Sequence, residues 1–111
     1  MKETKWDIIA NRRPGMIDGV ELTKKKGYYS IYRYVYDWDE DGDTICDEEE
    51  ILNMIPEEDM KKAIGASSDS DVVDWVKNHI GKRGNNSIDE IIGLLGVYKV
   101  KFTREFSRYP L

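Results

Sequence analysis

The fourteen residues from Asp37 to Glu50 read D-W-D-E-D-G-D-T-I-C-D-E-E-E and hold nine carboxylates with no cation. They are Asp37, Asp39, Glu40, Asp41, Asp43, Asp47, Glu48, Glu49 and Glu50. Carboxylates this close repel one another unless a bound cation, a basic partner, or water and salt offset the charge. Carboxylates spaced along a turn can stand in for phosphates, and complementary fields raise association rates steeply. Trp38 lies inside the run near Tyr34 and Tyr36 and supplies an aromatic group of the kind that anchors interfaces. The candidate partner-binding residues are therefore Trp38, Asp39, Glu40, Asp41, Asp43, Asp47 and Glu48. Two blander readings stand beside this one. Trp38 could close the core, and the run could be a solvated turn at Asp41-Gly42 leading into a helix start that Asp47–Glu50 favour through its dipole.

The same run contains calcium-ligand spacing. Calcium takes six to eight oxygens, supplied by carboxylates on alternate residues of a tight turn and closed by a bidentate Glu. One register, D-x-D-x-D-G-x5-E, is met by Asp37, Asp39, Asp41, Gly42 and Glu48, with Thr44 where an apolar residue is usual. The other begins at Asp39, and D-E-D-G-D-T-I-C-D-E-E-E-I resembles the short EF-hand-like calcium loops of bacterial and extracellular repeat proteins. That resemblance covers residues 39–51 and implies Asp39, Asp41, Asp43, Asp47 and Glu50 as calcium ligands, with Ile45 and Ile51 as apolar anchors. Thr44 departs from the glycine of that pattern, at a turn that a β-branched residue resists.

Other chemistry is thinly represented. His79 is the single histidine and falls seven residues after Val72 on an apolar stripe, the place of a half-buried packing residue. Cys46 sits among carboxylates, which blunt a thiol's nucleophilicity. There is no G-x-S-x-G, no Walker lysine and no Cys/His zinc spacing, so a non-catalytic protein is expected. Arg12-Arg13, Lys24-Lys25-Lys26, Lys82-Arg83 and the Lys99, Lys101, Arg104, Arg108 series could touch phosphate. The segment Ile88–Leu95 nevertheless carries Asp89 and Glu90 and no base-reading side chain, and overall acidity opposes direct nucleic-acid binding.

These groups need a scaffold. At 111 residues the chain suits one domain with a modest core, and three Trp, seven Tyr and two Phe supply bulk. The net charge of −5 hides an asymmetry. Residues 1–36 have eight Lys or Arg against four acids, the acidic run has −9, and residues 51–111 balance nine against nine. With no secretory-type apolar run, no membrane-spanning stretch and a lone cysteine, a cytoplasmic location is expected.

Short strands are expected over Lys5–Ala10 and Met16–Thr23, with turns at Arg13-Pro14-Gly15 and Asp18-Gly19. Tyr28–Tyr36 alternates as a strand, Tyr28, Ser30, Tyr32, Tyr34 and Tyr36 on one face, with Lys26-Gly27 as the hairpin turn before it. Ile51, Leu52, Met54 and Ile55 suggest a short helix ended by Pro56, and a second helix follows to Gly65. Further helices are expected from Asp71 to Ile80, capped by Ser68, and from Ser87 to Gly96, then a half-buried strand over residues 97–106. The sum is an α+β domain, a mostly antiparallel sheet with three to four short helices on one side.

Immunity proteins against nuclease toxins and phage-encoded inhibitors of DNA-binding machines are similar to this chain in size and acidity. The likeness implies an inhibitor, viral or mobile-element in type, that mimics nucleic acid and masks a basic surface on a protein partner. Calcium binding at the EF-like loop is the alternative.

Overall fold

Alternating aromatic and β-branched residues extend the first half of the chain into four long strands: β1 (Thr4–Arg13), β2 (Met16–Lys25), β3 (Tyr28–Trp38) and β4 (Thr44–Pro56). Three helices follow, α1 (Glu57–Ile64), α2 (Asp69–Asn78) and α3 (Asp89–Val97), and β5 (Thr103–Tyr109) closes the chain. The computed structural model describes residues 2–81 and 86–110, and these elements are counted among them. Lys82-Arg83 lies outside the described residues. The sheet is antiparallel throughout, in the order β1-β2-β3-β4-β5, with the helices inserted between its last two strands. The fold is broadly α+β, as expected, but dominated by strands. No helix among the described residues is long and apolar enough to cross a membrane.

The tight turns form where glycine permits them. Pro14-Gly15 joins β1 to β2, and Lys26-Gly27, with φ of 53° and 81°, joins β2 to β3 as the paired positive-φ hairpin turn. Val20, Leu22, Tyr29, Ile31, Leu52 and Ile55 of the sheet pack with Met60, Val72, Val76, Ile88, Ile91 and Leu95 into one fully buried cluster. Each such apolar side chain contributes roughly 1.5–3 kcal/mol. This cluster grips the half of the sheet near Lys26-Gly27. The opposite end of the β3–β4 hairpin lies eight residues beyond Ile31, about 25 Å away at ~3.3 Å per residue. The acidic turn is thus carried clear of the core.

Several local expectations are corrected. Residues 51–55 belong to β4 and not to a helix. The helix-like spacing of Leu52 and Ile55 comes from a β-bulge: Tyr29 pairs with Ile55 and Ile31 with Leu52, so the extra residue sits in β4, and Met54 takes φ 58°. Asn53 Oδ1 fixes this kink by accepting from the Met54 N–H at 2.9 Å and the Ser30 hydroxyl at 2.7 Å. Asp18-Gly19 is not a turn but the middle of β2, opposite Val35 and Tyr34. The last strand is neither half-buried nor placed at 97–106. Residues 98–102 turn away from α3, where Lys99 adopts φ 59°, and β5 runs exposed along the sheet edge.

The helices start close to where their caps were expected. Ser68 precedes α2, and its hydroxyl accepts from the Asp71 N–H at 3.2 Å. Ser68→Ala is therefore expected to lower stability by about 1 kcal/mol, read from the midpoint of urea unfolding at constant slope. For α3 the cap is Ile88, and Ser87 instead accepts from the Asp89 N–H at 3.2 Å. His79 stacks on Trp75 with centroids 4.4 Å apart, a packing residue as its position on the stripe implied. Lys24 bridges Glu57 at 2.7 Å and Asp69 at 3.2 Å, tying β2 to α1 and α2.

Candidate functional site

The acidic run becomes a hairpin turn and the strand leaving it. At the turn, the Asp39 N–H donates to the Asp43 carbonyl at 2.9 Å and the Gly42 N–H to the Asp39 carbonyl at 3.0 Å. Asp39 Oδ1 accepts from the Asp41 and Asp43 N–H groups, both at 2.9 Å, so this carboxylate builds the turn from within. Asp39, Asp41 and Asp43 are exposed and each brings one oxygen within 4.8 Å of the others. Glu40 is exposed beside them. Trp38 is 36% and Ile45 54% exposed, so Trp38 stands outside the core cluster. The Trp38 N–H donates to the Gly15 carbonyl at 2.9 Å, which sets the β1–β2 turn beside the acidic one. The tip is a prong of carboxylates flanked by two exposed apolar side chains.

Strand parity then divides the remaining acids. Glu48 and Glu50 point to the face that carries Arg33. Arg33 Nη2 meets Glu48 Oε2 at 3.2 Å. Glu50, 4% exposed, accepts from Arg104 Nε at 2.6 Å and from its Nη2. Part of the run's charge is thus offset by arginines of the same chain, a fourth answer that the sequence reading did not weigh. Asp47 is half-buried on β4 opposite Tyr36, and Asp37 is half-buried on β3 opposite Cys46. Of the five ligands implied by the calcium-loop resemblance, Asp39, Asp41 and Asp43 converge at the turn. Asp47 and Glu50 lie along β4, because a strand and not a helix leaves the loop. In the other register Asp37 and Glu48 are likewise on the strands.

Glu49 points the opposite way and joins a surface that the sequence reading missed. Three cross-strand rows share this face: Asp7, Glu21, Tyr32, Ile51 and Glu105; Ala10, Gly19, Tyr34, Glu49 and Ser107; Arg12, Ile17, Tyr36, Asp47 and Tyr109. Tyr32, Tyr34 and Tyr36 stack with centroids 5.5 Å apart. Tyr34 reaches over Gly19, where any Cβ would lie 2.5 Å from the phenol oxygen. Glu49 Oε1 accepts from the Tyr36 hydroxyl at 2.8 Å and from the Tyr32 hydroxyl.

The electrostatics follow from this packing. The hydroxyls of Tyr32 and Tyr36 hold the Glu49 carboxyl below its usual range. Burial, reinforced by the Glu49 bond, pushes the Tyr32 phenol up, and burial also raises Tyr34 and Tyr36. The phenols remain donors and Glu49 remains an anion at neutral pH. Tyrosine alternation was visible in the sequence, but nothing there separated Glu49 from Glu48 and Glu50 until strand parity did. Among the basic candidates, Lys24 and Arg104 are engaged in ion pairs within the chain, while Arg12 and Arg13 are exposed. A comparison with protein-family models, curated proteins and solved structures finds no match to this chain.

Proposed function

We propose that this is a non-catalytic protein that acts by binding another protein, its acidic β3–β4 hairpin masking a basic surface. The observation that carries this reading is the make-up of the tip. Asp39, Glu40, Asp41 and Asp43 are exposed around Trp38 and Ile45, two exposed apolar side chains that water does not favour. Charge on the prong steers the encounter, and the apolar pair supplies burial once contact is made. Asp47 and Glu48 contribute from β4 close behind the tip, Glu48 already paired with Arg33. A basic groove that ordinarily holds nucleic acid matches this charge, so an inhibitor or immunity-type role in the cytoplasm, of phage or mobile-element kind, is the function proposed.

The test is a pull-down from lysate with the wild-type chain, followed by the double variant Asp41→Lys/Asp43→Lys against the captured partner. Both side chains are exposed, so folding is expected to be unchanged by circular dichroism, while affinity falls about tenfold and salt dependence flattens. Undiminished affinity would remove the hairpin from the interface. The convergence of Asp39, Asp41 and Asp43 within 4.8 Å favours a second reading, a tip that holds calcium. A calcium-dependent rise in Tm, abolished by Asp41→Asn, would transfer the assignment to that reading.

A further inference from the structure

Glu49 differs from its neighbours in how its charge is met. Glu48 is paired with Arg33, Glu50 with Arg104, Glu57 with Lys24 and Lys61, and Glu21 with Lys5 at 3.3 Å. Glu49 is half-buried, yet the groups that hold it charged are the hydroxyls of Tyr32 and Tyr36, and no ion pair reaches it among the described residues. Both hydroxyls converge on Oε1, and among the described residues Oε2 has no hydrogen-bond partner. Beside it an open pocket of about 380 Å³ lies over the paired strands β4 and β5, with Tyr32, Glu49, Ile51, Glu105 and Phe106 in its lining.

We infer that this tyrosine face is the receptor for arginine side chains of the partner, with Glu49 as the central anion. The inference deepens the protein-binding reading and rests on it. Three features select a guanidinium. In the stack of Tyr32, Tyr34 and Tyr36 the middle ring is covered on both sides, so the outer faces of Tyr32 and Tyr36 are the π surfaces on which a planar cation can lie. Glu49 presents a carboxylate already fixed in place, so little ordering is lost when a charged donor arrives. Within the three rows Asp7, Glu21, Asp47 and Glu105 surround it against the one cation Arg12, so the face is net negative, complementary to a basic segment and opposed to an acidic one. An ammonium can meet the carboxylates but cannot stack, and nucleic acid is repelled outright.

The test uses the full chain, isotope-labelled for NMR, titrated at low salt with an octa-arginine peptide and in parallel with octa-lysine. Octa-arginine is expected to bind more tightly than octa-lysine and to shift the signals of Tyr32, Tyr34, Tyr36 and Glu49. Glu49→Gln, which keeps a hydroxyl acceptor, is expected to weaken octa-arginine binding about tenfold. Glu105→Gln sits on the exposed edge strand, spares the fold, and is expected to weaken it about threefold. Shifts confined to residues 38–45, with full sensitivity to Asp41→Lys/Asp43→Lys and none to Glu49→Gln or Glu105→Gln, would overturn the inference and leave the hairpin reading standing. Absence of saturable binding to either peptide would overturn both. Equal affinity for the two peptides would also overturn it, since stacking is what separates them.

Discussion

Gly19→Ala is expected to destabilise the domain by about 3 kcal/mol, at the upper end of what overpacking costs. A Cβ at this position would lie 2.5 Å from the Ile9 carbonyl oxygen and 2.5 Å from the Tyr34 hydroxyl. The ring could swing away, but the carbonyl belongs to the β1 backbone and can retreat only if the β1–β2 ladder opens. The two contacts can be told apart. Tyr34→Phe removes the hydroxyl and should recover only a small part of the loss, because the ring carbon beneath it and the Ile9 oxygen remain. Urea unfolding of the two single variants and the double variant measures this directly. A loss below about 0.5 kcal/mol, the level of an ordinary surface change, would mean that neither the Ile9 carbonyl nor Tyr34 crowds this position. The same substitution should disorder the tyrosine stack and so weaken octa-arginine binding.

Arg104→Ala should cost about 3 kcal/mol, because it removes the fork that meets a carboxylate with only 4% of its surface exposed. Arg104 itself is about half exposed, so solvent softens the loss, which belongs at the lower end of the range for broken buried pairs. The companion variant Glu50→Gln/Arg104→Ala removes the orphaned charge and should return most of the lost stability, since the penalty lies in the unpaired anion. Arg104→Lys should be intermediate, keeping the charge but losing the two-nitrogen contact. Hydrogen exchange adds a local readout. β5 is exposed along its whole length, and its amides should exchange far faster once its tie to β4 is cut. Equal stability of Arg104→Ala and wild type would show that Glu50 draws its support from elsewhere.

The two substitutions fall on opposite faces of one sheet, and that division is where sequence reasoning stopped. Tyr28–Tyr36 could be read as a strand with its faces assigned, because alternation of period two survives without any tertiary information. The hairpin turns at Pro14-Gly15 and Lys26-Gly27 and the cap at Ser68 were legible for the same reason: each is a contact between residues a few positions apart. The stretch around Leu52 was not. Its apolar spacing of three is what a helix shows, and only the pairing of Tyr29 with Ile55 reveals a bulge at Met54. The acidic run was read as a single patch because nothing local distinguishes Glu48, Glu49 and Glu50. Their fates diverge through Arg33, Tyr32 and Arg104, partners 15, 17 and 54 positions away.

By itself, then, the sequence determined the charge asymmetry, the aromatic strand, the acidic turn and the helix caps at Ser68 and Gly65, all properties of composition or of neighbours along the chain. The tertiary structure alone decided which carboxylates are offset within the molecule, which stay exposed at the hairpin tip, and that Glu49 sits among tyrosine hydroxyls. The physical reason is pairing register. A shift of one residue in β4 would exchange the two faces and hand Glu49 to Arg33, and that register is set by the burial of Leu52 and Ile55, farther along the same strand, and not by the acids themselves.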